Sequence, residues 1–252
     1  MGCRLQTKGF SCGVFARPLL FFARLREGFI GLSKFTLGDF FMLKNGVKGL
    51  FFSDLILKAS HTKRIAYIGV MTAFSVITNM LLEFKMMDIQ FSLTILVSSL
   101  LGVLLGSACG FTACVVGDLV GFLFNSGGTI FMPWVGLSTG MIAFISGFIV
   151  NGFDLKVKGQ IYIKLTLVFL LSFIVCTVGI NSTGFYLYNK KMGFSEAVMN
   201  YVATRFGRGT DFIAYLAYRL FFKGQIYNNI FNYAVGFVFI PLVLKSKAFN
   251  KE

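Results

Sequence analysis

The stretch LLGVLLGSACGFTACVVGDLVGFLF, Leu100 to Phe124, decides what kind of molecule this chain is. Gly102, Gly106 and Gly110 recur every fourth residue, and Gly117 and Gly121 follow. On helices that spacing lines bare backbone along one face, so that neighbouring helices approach closely inside a membrane. In water each such glycine costs about 1 kcal/mol relative to alanine. One carboxylate, Asp118, interrupts the apolar run. An acid in a lipid-compatible segment is expensive and marks a functional position. The stretch reads as part of a membrane protein that handles a polar ligand.

Composition agrees. The 252 residues are 56% hydrophobic and 13% charged, with 32 phenylalanines and a mean hydropathy of +0.77. Soluble domains carry about 25% charged residues, which argues against a water-soluble globule. The net charge of +14 raises the question of nucleic acid. The basic residues lie in flanks and loops between apolar spans, where cytoplasmic bias and anionic headgroups account for them. No zinc-knuckle or helix-turn-helix pattern supports nucleic-acid binding. The five cysteines, Cys3, Cys12, Cys109, Cys114 and Cys176, form no CxxC pair. The last three lie in apolar spans and read as small packing residues.

A helix needs about 20 mainly apolar residues to cross a bilayer. Six candidates follow: Arg64–Phe84, Gln90–Leu105, Ser107–Phe124, Pro133–Val150, Tyr162–Ile180 and Ile226–Leu244. The expected fold is an all-α integral membrane bundle of six transmembrane helices over residues 61–247. Lys63, Arg64, Lys156, Lys158, Lys164, Lys245, Lys247 and Lys251 then mark the inner side, with both termini cytoplasmic. The loop after span five breaks that pattern with Lys190, Lys191, Arg205, Arg208, Arg219 and Lys223. This 189–223 loop holds two short amphipathic patterns, FSEAVMNYVATRF and FIAYLAYRLFF, and reads as a lid or interfacial helix. Residues 1–60 are a basic, Phe-rich flank. Gly49–Lys58 suits an amphipathic surface helix, and a translation start at Met42 is the alternative for residues 1–41.

Polar residues gather at the outer ends of the spans. Gln90 opens span two, Asp118 and Asn125 lie late in and after span three, and Trp134 opens span four. Asn181 closes span five and Arg219 leads into span six. This asymmetry predicts an outer pocket for a small water-soluble molecule. Helix capping and the aromatic belt explain single members equally well, and a structural Asp118–Arg219 pair competes with ligand contact. On span one, Ala66, Gly69 and Ala73 make one side of the helix small, for internal packing or for docking a separate subunit. No GxxxxGK[ST], HExxH or GxSxG occurs, and the single histidine, His61, lies outside the apolar core. No catalysis, metal or cofactor is expected.

These residues resemble the substrate-binding S components of energy-coupling factor (ECF) vitamin transporters. The match runs from Phe51 to Leu244 through FSDLILKASHTKRIAYIGVMTAFSVI, the IQFS…GDLVGFLF hairpin, GGTIFMPWVGLSTGMIAFISGFIV, NSTGFYLY and YRLFFKGQIYNNIFNY. It looks most like the folate-type members. The resemblance implies a six-helix vitamin-binding subunit of a bacterial plasma membrane. Its partners would be a transmembrane coupling protein and two ATPase subunits, and it would topple in the bilayer to release ligand inside. It puts the docking face on Ala66, Gly69 and Ala73, the hairpin acid on Asp118, the fifth-helix Asn on Asn181 and the basic residue on Arg219. Two departures stand out: FMPWVGLS at Phe131–Ser138 replaces the usual Phe-Pro-Gly-Phe-Thr-like segment, and Arg205 competes with Arg219 across a longer loop. Riboflavin, thiamine, pantothenate or a queuosine precursor are the alternative vitamins. A self-contained carrier would show inverted repeats, which are not evident, and a non-transporting membrane partner remains the other class.

Overall fold

The computed structural model describes residues 42–43, 46–81, 83–86, 89–124, 130–155, 159–207 and 209–246. The flank 1–41 and Asn125 lie outside the described residues. Strand β1 (Met42–Leu43) and two short helices, α1 (Gly46–Phe51) and α2 (Asp54–Lys58), lead into α3 (His61–Leu81). A hairpin of β2 (Glu83–Met86) and β3 (Ile89–Ser92) precedes α4 (Thr94–Leu105), α5 (Ser107–Phe124) and α6 (Pro133–Gly152). Strand β4 (Phe153–Asp154) pairs antiparallel with β1. Then come α7 (Gln160–Met192), α8 (Glu196–Phe206), α9 (Phe212–Phe222) and α10 (Gln225–Lys245).

Helices occupy all six expected positions. Among the described residues α5, α6, α7 and α10 are long and apolar enough to cross a membrane, and the chain is a multi-pass membrane protein. Span two differs from expectation. Gln90 belongs to β3, opposite Lys85 in the hairpin, so the helix covers only Thr94–Leu105. Its 12 residues reach about 18 Å, short of the roughly 30 Å of hydrocarbon. The hairpin satisfies the backbone that a longer helix would otherwise satisfy.

Span five is longer than its apolar core. Helix α7 continues 33 residues to Met192, so Asn181 lies inside it rather than at its end. The helix stops where Gly193, at φ +100°, donates its N–H to the Asn189 carbonyl, a left-handed geometry that favours glycine. The 189–223 segment is largely helical, as α8 and α9. Gly49–Lys58 forms parts of two helices broken at Ser53, whose hydroxyl donates to the Leu104 carbonyl. Arg64 closes this turn by donating to the Leu57 and Ala59 carbonyls at 2.9 and 2.8 Å.

The core explains the glycine run. A Cβ on Gly102 would lie 2.0 Å from the Ala143 carbonyl oxygen, and one on Gly147 would lie 2.5 Å from the Ser107 amide nitrogen. Helices α4, α5 and α6 thus meet backbone to backbone. Gly106, at φ +93°, turns the corner between α4 and α5 beneath Phe52. Leu101, Leu105, Ala113, Cys114 and Ala143 fill the space around it. On the other side Leu165, Val168, Phe169 and Ile240 join α7 to α10. Lys164, expected as a loop cation, is 5% exposed and donates to the Val150 carbonyl at 3.1 Å.

Overpacking of a tight core typically costs about 1–3 kcal/mol, and here the obstacle is main chain that cannot rotate away. Gly102→Ala is therefore expected to lower the unfolding temperature in detergent by several degrees. Gly69→Ala, with nothing within 4 Å of its added Cβ, should leave it unchanged. Thermal unfolding of both variants checks the contrast.

Candidate functional site

Of the expected polar residues, Trp134, Asn181 and Arg219 come together around Phe185, where α6, α7 and α9 meet; Gln90 lies in the β hairpin, and Asn125 is outside the described residues. The organising element is a π-helical stretch of α7, Phe173–Ser182. A π turn widens the helix, and such turns are frequent at functional sites. Side chains donate to several of its carbonyls. Ser138 of α6 donates to the Cys176 carbonyl at 3.2 Å, Ser182 to the Thr177 carbonyl at 2.8 Å, and Arg219 Nη1 to the Asn181 carbonyl at 3.2 Å. Asn229 of α10 adds a bond to the Thr177 hydroxyl at 3.2 Å.

Arg219 itself lies in a second π turn, Tyr218–Phe222. Its guanidinium carbon sits 4.1 Å from the centroid of the Phe185 ring, a cation–π distance. Burial lowers its pKa to about 10, against the opposing influence of Tyr215, so the group stays cationic at neutral pH. Tyr215 is held in turn by the Asn189 side-chain amide, which donates to its phenolic oxygen at 2.8 Å. One cation is thus fixed by a backbone carbonyl, an aromatic face and a tyrosine. Arg205, the competing basic residue, is exposed on α8.

Trp134 faces the same helix. Its ring lies 5.6 Å from Phe185 and 5.8 Å from Tyr188, centroid to centroid. It rests on Gly184, where an added Cβ would fall 2.4 Å from the indole Cγ. The sequence analysis did not single out Phe185, Tyr188 and Gly184 as site residues. The signal was present: Asn181, Phe185 and Tyr188 recur at i, i+4 and i+7, one helical face.

Three polar atoms in this region are buried without a protein hydrogen-bond partner: Trp134 Nε1, Asn181 Oδ1 and Gln225 Oε1. Buried polar groups are nearly always satisfied, so these atoms carry unused bonding capacity. Asp118 packs against α6, its Oδ2 2.8 Å from where a Gly136 Cβ would be, two residues beyond Trp134. By contrast Asn228 and Asn232 are spent on structure. Asn228 accepts from the Ser92 amide at 3.1 Å. Asn232 accepts from the Leu96 amide at 3.1 Å and donates to the Ser92 carbonyl at 2.7 Å. They tie α10 to the joint between β3 and α4.

On α3, Ala66, Gly69 and Ala73 are all exposed. Their small side chains leave a flat strip, flanked by exposed Ile65, Val70 and Phe74. Among the described residues no group of three His, Cys, Asp or Glu side chains could hold a metal ion.

Comparison with known proteins places this arrangement. Residues 59–220 match the family model described as ECF-type riboflavin transporter, S component. The fold is similar to the crystal structure of FolT bound with folic acid, at 17% identity and a TM-score of 0.50. That likeness covers 76% of this chain and 99% of FolT. No curated protein matches the chain. The span of the family match, nearly all of the bundle from α3 to α9, leads to one conclusion: the chain belongs to the ECF-type riboflavin transporter S-component family and is a vitamin transporter's substrate-binding membrane subunit, not an enzyme.

Proposed function

We propose that the chain captures folate or a close relative from outside the cell. It would pass the vitamin inward together with a transmembrane coupling protein and two ATPase subunits. The observation that carries the vitamin assignment is the fixed cation of Arg219 beside three unspent polar atoms, Trp134 Nε1, Asn181 Oδ1 and Gln225 Oε1. A pterin edge offers both N–H donors and a carbonyl acceptor, matching two acceptors and one donor. A glutamate tail offers a carboxylate, for which a guanidinium is the natural partner. The aromatic wall of Trp134, Phe185 and Tyr188 supplies flat faces for a fused ring. Asp118 serves in this reading as an acceptor for ring N–H groups.

Riboflavin is the second reading, because the matching family model carries that name. Its ring has one imide N–H between two carbonyls, which also fits a mixed donor and acceptor set. It has no carboxylate, so Arg219 separates the two readings. The basic residues of the first loops support cytoplasmic termini. The exposed strip of Ala66, Gly69 and Ala73 suits docking of the coupling protein, since small residues permit close helix approach.

Native mass spectrometry of the chain purified in mild detergent tests the vitamin. A retained folate mass is expected. A riboflavin mass would move the assignment to the second reading, and failure to bind any added vitamin would overturn both. Hydrogen bonds to charged groups contribute about 1.5–3 kcal/mol, so Arg219→Gln should weaken folate binding roughly 10- to 100-fold by calorimetry. Riboflavin affinity should change far less. Gly69→Leu should leave vitamin binding intact and abolish co-purification of the coupling protein and uptake into cells.

A further inference from the structure

Among the described basic residues after span five, Lys190, Lys191, Arg205 and Lys223 are exposed and take no part in the proposed vitamin site. We propose that the cap built from α8 and α9 is a docking site for an anionic phospholipid headgroup, with Arg205 as the ligand of its phosphate. This depends neither on which vitamin is carried nor on which way the chain faces.

Position comes first. Helix α7, at 33 residues, is about 50 Å long, against roughly 30 Å of hydrocarbon. Its last dozen residues therefore reach headgroup level. The cap is packed there, through Phe185 and Tyr186 against Val198, Val202, Tyr215 and Tyr218.

Shape and charge follow. A groove of about 350 Å³ runs along α8, lined by Ala197, Asn200, Tyr201, Thr204 and Arg205 with Phe222 from α9. Positions 197, 200, 201, 204 and 205 form one helical face. The aromatic floor is built by Tyr201, whose ring centroid lies 5.4 Å from those of Tyr218 and Phe222. Lys190 and Lys191 at the end of α7, Arg205 on α8 and Lys223 after α9 are exposed. Two acids lie on the same elements among the described residues. Asp211 uses a carboxylate oxygen to cap α9 at the Ala214 amide, 2.8 Å away. Glu196 opens α8, about 13 Å along the axis from Arg205. The Arg205 end of the groove is thus cationic.

The apolar surface decides for a lipid. Met199, Phe206, Ile213 and Phe221 are exposed around the same cap. A soluble anion makes no use of them, whereas an interfacial helix seats such residues at the boundary between headgroups and acyl chains. Each basic side chain near an anionic surface strengthens attachment on the order of fivefold.

The test uses native mass spectrometry of the full chain with phosphatidylglycerol, phosphatidylcholine or inorganic phosphate added at equal concentration. Phosphatidylglycerol adducts are expected to exceed phosphatidylcholine adducts at least about fivefold. Arg205→Gln should remove that preference, and Lys63→Gln, at the opposite end of α3's bundle, should keep it. An unchanged unfolding temperature shows that Arg205→Gln is folded; Thr204→Leu, which fills the groove, is the second variant. Equal adducts from both lipids, or a preference that survives Arg205→Gln, would overturn the proposal. So would displacement of phosphatidylglycerol by inorganic phosphate, which indicates a free-anion site, or by folate, which indicates a vestibule for the vitamin.

Discussion

The contact of backbone with backbone at Gly102, Ala143 and Gly147 governs the rest of this molecule. Inside a bilayer, apolar side chains gain nothing by leaving lipid for protein, so helices associate through close packing and satisfied polar groups. Removing the side chain at Gly102 brings α6 against α4, and the corner at Gly106 folds α5 back alongside both. The segment before the bundle then completes the corner. The Ser53 hydroxyl donates to the Leu104 carbonyl and the Ser107 hydroxyl to the Leu50 carbonyl. These bonds occupy carbonyls at the end of α4 and in α1 that a helix terminus leaves open.

The opposite end of the bundle has the reverse character. There the main chain is widened rather than compressed, and its carbonyls accept from Ser138, Ser182 and Arg219, on three different elements. Asn181 accepts from Arg219 through its main-chain oxygen, while its buried side-chain oxygen has no hydrogen-bond partner. Tight glycine packing below holds the helices at fixed spacing, and the π turn above uses that spacing to expose polar atoms.

Much of this was legible in the sequence, and the gaps have physical causes. The glycine period located the tight helical hairpin because its spacing has no role in a polar loop. The sequence placed Trp134, Asn181 and Arg219 at span ends on one side because polar atoms in lipid are costly, and the structure brings these three together around Phe185. The reach of α7 beyond Ile180 was hidden. The apolar run ends there, while the helix continues on aromatic packing from α8 and α9. Gln90 was misplaced because IQFS continues an apolar span, and only its partner strand Glu83–Met86 makes it extended. Lys164 was counted with the loop cations because composition cannot distinguish a buried ammonium that finds the Val150 carbonyl from an exposed one.

The length of α7 links the two halves of the argument. A span of about 50 Å in a bilayer of about 30 Å must project, tilt or deform the membrane. Projection is favoured here because the extra turns are covered on one side by an aromatic cap instead of facing water alone. The cap in turn brings Arg219 onto Phe185 and the Asn181 carbonyl. There a cation–π face, a carbonyl and Tyr215 replace the water of its guanidinium. The same segment thus covers this end of the bundle and fixes the Arg219 cation beside Phe185. The attachment of α8 and α9 to α7 combines aromatic packing with the Asn189–Tyr215 and Arg219–Asn181 hydrogen bonds, a different kind of joint from the backbone-to-backbone contact of the glycine corner.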